Sequence, residues 1–66
     1  MKLEEIRKRV SEIYSERDDD ESAHSLEDSL HENFIKYIAK TGTKEQRKMA
    51  KEILRTSEFD FARWCA

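Results

Sequence analysis

Two histidines and two carboxylates within one stretch are the groups of this chain best placed to do chemistry: His24, Glu27, Asp28 and His31. Their spacing of i, i+3, i+4 and i+7 puts all four on one face of a helix. At about 100° per residue, Glu27 and His31 fall beside the expected core stripe, with His24 and Asp28 further out. A histidine one turn from a carboxylate is half of a zinc, manganese or iron site. Glu-x-x-His on facing helices is how carboxylate-bridged metal bundles build their sites. One helix cannot close such a cage, so a divalent metal here requires a symmetric dimer to supply the other half. The plainer reading is a solvated helix start whose histidines cap or pair with carboxylates, and on it no cofactor is expected.

The remaining candidates are weaker. A lone cysteine, Cys65, has no adjacent base in sequence and reads as a small packed or exposed thiol, with no catalytic residue assigned. A single glycine, Gly42, cannot make a phosphate-cradling loop. Lys44, Arg47, Lys48, Lys51 and Arg55 step along a helix at three- and four-residue intervals, and such a stripe can contact phosphates. Against nucleic acid stands the acidic segment before it: residues 16–32 hold one basic and eight acidic side chains, a balance of −7. Residues 33–66 hold eight basic and four acidic, a balance of +4, within a net charge of −2. A match between the two segments, within or between chains, is the simpler account of both.

The elements that must position these groups are helices. The 66 residues include no proline, 36% apolar residues and 42% charged ones, enough for one small domain over residues 1–66 and no more. A first helix over about 2–15 carries Leu3, Ile6, Val10 and Ile13 on one stripe, with Glu4–Lys8 and Glu5–Arg9 in favourable order opposite. A second, over about 20–40, carries Ala23, Leu26, Leu30, Phe34, Tyr37 and Ile38 as its core stripe. Asp18 stands at capping-box distance from Glu21, although Asp19 or Asp20 serves equally as the cap. Gly42 is expected as the left-handed residue closing this helix. Thr43 and Gln46 then open a third, over about 44–55, whose apolar face is Met49, Ala50, Ile53 and Leu54. Thr56 or Ser57 caps a short fourth over about 57–65, bearing Phe59, Phe61, Ala62 and Trp64, or else the third helix runs on. Arg63 is placed to reach back to Glu27 or Asp60, a structural tether among Asp60, Arg63 and Trp64.

Two stretches of the chain, Asp19-Asp20-Glu21-Ser22-Ala23-His24-Ser25-Leu26-Glu27-Asp28-Ser29-Leu30 and Glu58-Phe59-Asp60-Phe61-Ala62-Arg63-Trp64-Cys65-Ala66, resemble a family of short, uncharacterised bacteriophage and bacterial proteins. That family shows an Asp-Asp-Glu-x-Ala-His-x-x-Glu-Asp-x-Leu helix and an Asp-Phe-x-Arg-Trp-Cys/Tyr-Ala end. The resemblance implies a phage-type or bacterial cytoplasmic setting, the host cytoplasm if phage-encoded, and brings no activity with it.

These readings converge on an all-α fold, a compact bundle of three to four helices that self-associates as a homo-oligomer. The expected function is that of a non-catalytic accessory or regulatory protein that binds another protein, with a phage product acting on a host factor as one form of it. Its acidic face, Asp18, Asp19, Asp20, Glu21, Glu27 and Asp28, would meet a basic partner surface. The absence of any apolar run near the roughly 18 residues of a membrane span and the single cysteine predict a cytoplasmic protein with no membrane partner.

Overall fold

The computed structural model describes residues 1–59. Three α-helices follow one another: α1 (Leu3–Ser15), α2 (Asp20–Thr41) and α3 (Lys44–Leu54), with a 3-10 turn at Arg55–Glu58. The helical class and the first three helix positions agree with the sequence to within one or two residues. The expected fourth helix does not start at Ser57. The hydroxyls of Thr56 and Ser57 donate back to the carbonyls of Ile53 and Leu54 at 3.0 and 2.9 Å, the chain forms a 3-10 turn over Arg55–Glu58, and Phe59 is extended. The remainder of that helix, and the Asp60, Arg63 and Trp64 tether, lie outside the described residues.

Local chemistry sets the helix ends. Of the three candidate caps before α2, Asp19 is used: its Oδ1 accepts from the Ser22 N–H at 3.2 Å. Thr43 and Gln46 form the complete capping box that opens α3. At the end of α1, the Arg17 guanidinium lies 3.9 Å over the Tyr14 ring and donates to the Tyr14 carbonyl at 2.9 Å. The Tyr14 carbonyl, which also accepts the Arg17 N–H at 3.2 Å, thereby gains a cation at the negative pole of the dipole.

Gly42 departs from expectation. Its φ of −71° and ψ of 178° are extended, not left-handed, and no described residue has positive φ. The glycine is required by space. A Cβ there would stand 2.8 Å from the Ile38 carbonyl oxygen and 2.9 Å from Gln46 Cβ. The turn brings α3 back against the end of α2 so closely that only hydrogen fits.

The helices form a layer instead of a compact bundle. Cα extents are 39 × 34 × 10 Å, so the assembly is about one helix thick. α2 is the middle member, α1 and α3 pack on it from different sides, and α1 and α3 do not meet. The radius of gyration is 13.5 Å, against roughly 11 Å for a compact domain of this length. Among the described residues only Leu30 and Ala50 are buried. Leu30 closes the seam with α1 beside Ile6, and Ala50 the seam with α3 beside Ile35 and Ile38.

Candidate functional site

The stripe of α2 that the layer leaves open runs Glu27, His31, Phe34, spaced by four and three residues, with half-buried Ile38 four further on at the edge of the α3 seam. Phe34 and Ile35 border two apolar clefts, one against Ile6 and Leu30, the other against Met49, Ala50 and Ile53. The two clefts are therefore continuous across α2. A third groove extends the same side toward the α1–α2 loop, between Val10, Tyr14, His24 and Glu27. The opposite stripe of α2 is Ser22, Ser25, Ser29, Asn33, Lys36 and Lys40. The layer thus has one apolar side and one polar side.

The apolar side is exposed to a degree that is unusual for so small a chain. Phe34 is 44% exposed, Met49 52% and Ile53 53%, and Leu3, Val10 and Tyr14 are more than half exposed. Burying a side chain of this size is worth about 1.5–3 kcal/mol, so several such contributions are left unrealised on one face. Leu3, Val10, Phe34, Tyr37, Met49 and Ile53, expected in a closed core, are corrected to surface positions. The reason is the layer itself: with α1 and α3 apart, no described residue covers the stripe between them.

The polar side carries the tie between helices. With the Asn33 amide oxygen facing the guanidinium, Asn33 accepts from Arg9 Nη1 at 3.0 Å. The ion pairs among the described residues, Glu32–Lys36 at 3.5 Å and Glu52–Arg55 at 2.8 Å, are both within one helix and exposed. The expected Glu4–Lys8 and Glu5–Arg9 pairs are not closed, and no ion pair joins acidic α2 to basic α3 among these residues. Of the two ways to match those segments, the one within a chain is not taken.

The four candidate metal ligands are distributed over three grooves. His24 and Glu27 face the end of α1, His31 borders the cleft with Ile6, and Asp28 lines a cleft with Ile53 and Leu54 of α3. His24 is half-buried, contrary to its expected outward position, because Ile13 and Tyr14 of α1 stand beside it. Among the described residues no three of His, Cys, Asp and Glu gather where one ion could be held. His24, Glu27 and His31 nonetheless share the open side.

The acidic set Asp18, Asp19, Asp20, Glu21, Glu27 and Asp28 is exposed throughout. Lys44, Arg47, Lys48, Lys51 and Arg55 are exposed on the flank of α3 away from Ala50 and Leu54, with Arg55 paired to Glu52. No described helix is long and apolar enough to cross a membrane.

Ile35 is the residue that the single-stripe reading of α2 missed. A signal for it was present: Ile35 and Ile38, at i and i+3, form a second apolar row beside Leu26, Leu30 and Phe34. Two rows on one helix mean two neighbours. Comparison with family models, with curated proteins and with solved structures finds no match.

Proposed function

We propose that this chain is a non-catalytic protein-interaction module that works through the apolar side of its three-helix layer. The observation that carries this reading is the one-sided exposure of Phe34, Met49, Ile53, Val10 and Tyr14. A contiguous apolar patch of this kind marks a surface made to be covered, and aromatic and methionine side chains are those enriched at protein interfaces. The acidic start of α2, Asp18 to Asp28, borders that side and favours a partner with a basic surface through steering and register.

The test compares capture of protein partners by wild type, by Phe34→Glu and by Glu27→Lys/Asp28→Lys. Loss of capture in both variants, with helix content retained by circular dichroism, is expected. Full capture by both would sink the reading.

A metal half-site is the second reading, and the sharing of one side by His24, Glu27 and His31 favours it. It requires a second chain for the remaining ligands. Zinc should then raise the melting temperature of wild type and leave His24→Ala/His31→Ala unmoved; an equal rise in both would remove it. The basic flank of α3 supports a third reading, phosphate contact, which predicts DNA affinity falling steeply with added salt.

A further inference from the structure

We infer that the apolar side of the layer is closed by a second copy of this chain, packed face to face with α2 antiparallel to α2, so that two half-cores make one. The inference rests on the protein-binding reading and names the partner.

Area is the first argument. The chain exposes 5663 Å², where a compact monomer of 7.9 kDa exposes about 4,400 Å². The excess, about 1,200 Å², comes from the flat shape as a whole, both sides included, and is of the same order as the roughly 1,000–2,500 Å² that each subunit of an obligate homodimer buries. A second layer laid on the first removes an excess of this size in one step, and yields a body two helices thick, the usual minimum for a core.

Extent is the second. The face belongs to a layer 39 Å by 34 Å. The seven residues after Phe59 reach at most about 23 Å when fully extended. That is less than either the length or the width of the layer.

Charge supplies the orientation. Asp18, Asp19, Asp20 and Glu21 lie at one end of α2, and Lys40 and Lys44 at the other, where α3 begins. Antiparallel pairing holds the two acidic ends apart by the length of α2, about 33 Å for 22 residues. Parallel pairing would stack two segments of −7 on each other. A two-fold arrangement of this kind is isologous, using the same patch on both chains. His31, near the midpoint of α2 and on its open stripe, then comes close to its own counterpart.

The experiment reads solution mass, interface position and fold together, on the full-length chain. Light scattering of wild type should give twice the 7.9 kDa chain mass. Met49→Lys/Ile53→Lys, both at sites exposed in the single chain, should weaken association by at least about tenfold, the scale of an interface hot spot. Cysteine cross-linking in a Cys65→Ser background locates the face without charging it: a short bis-maleimide should join chains carrying His31→Cys and spare chains carrying Ser29→Cys, on the polar side. Phe61→Ser/Trp64→Ser should remain dimeric. A 7.9 kDa wild type, association indifferent to Met49 and Ile53, cross-linking through Ser29→Cys in place of His31→Cys, or dissociation on changing Phe61 and Trp64 would each overturn the inference. A wild-type monomer that still captures another protein through Phe34 would remove the second copy while leaving the protein-binding reading intact.

Discussion

Leu30 and Ala50, the two buried residues among those described, lie in different seams: Leu30 between α1 and α2, Ala50 between α2 and α3. Neither seam leans on the other, because α1 and α3 do not touch. The chain therefore holds two narrow contacts side by side where a globular domain would hold one central core. A helix of 11 residues such as α3 is marginal in water on its own, so these contacts, with the caps, are what keep the helices in place.

Substitutions at the two positions should act by opposite routes. Leu30→Ala removes buried apolar volume and should cost about 2–3 kcal/mol, the lower part of the usual range for such truncations. Ala50→Leu inserts volume at a buried position of the α2–α3 seam and should cost about 1–3 kcal/mol by overpacking. Urea unfolding followed by far-ultraviolet circular dichroism measures both. No loss from Ala50→Leu would mean that α3 does not pack as closely as described.

Gly42 separates two reasons for a glycine. Since its φ is −71° and a Cβ would meet the Ile38 carbonyl and Gln46 Cβ, Gly42→Ala should destabilise by about 1–3 kcal/mol. Gly42→Asn should be at least as harmful. Were the residue left-handed, asparagine would be the tolerated substitute. Melting temperatures of the two variants decide the point, and a milder effect of asparagine would contradict the extended geometry.

The caps give a local prediction. Thr43 Oγ1 accepts from the Gln46 N–H at 3.1 Å while Gln46 Oε1 accepts from the Thr43 N–H at 2.9 Å. Thr43→Ala should cost about 1 kcal/mol. Asp19→Ala should cost a similar amount, whereas Asp18→Ala, at an exposed position with no capping bond, should stay within about 0.5 kcal/mol. Equal effects at Asp18 and Asp19 would show that the cap is shared.

What the sequence disclosed follows from the range of each interaction. Helix positions and the Thr43–Gln46 box depend on groups three or four residues apart, and the pattern carries them. Asp19 could not be singled out from Asp18 and Asp20, since all three offer the same carboxylate and only the backbone entry angle decides. Ile35 was missed because one stripe was sought on a helix gripped from two sides. The open face was not legible at all. Phe34, Met49 and Ile53 have the periodicity of core residues, and periodicity does not say whether the covering element belongs to the same chain. The histidines and carboxylates at 24, 27, 28 and 31 share a helix face as their spacing requires, yet α1 and α3 divide them among separate grooves.

Charge at the start of α2 should matter for partners and little for folding. Glu27 and Asp28 are exposed and outside any ion pair among the described residues. Glu27→Lys/Asp28→Lys should change unfolding free energy by no more than about 0.5 kcal/mol per site, while reversing the local field. A large loss of stability in the variant would assign these carboxylates to the fold.

The central claim is that the three-helix layer is half of a folded unit. The most direct test is the melting temperature of wild type at two protein concentrations a hundredfold apart. If unfolding is coupled to dissociation of two copies, the hundredfold increase adds about 2.7 kcal/mol of stability per dimer and raises the midpoint by several degrees. A midpoint independent of concentration would contradict the claim, leaving a single chain that folds with its apolar side open to water.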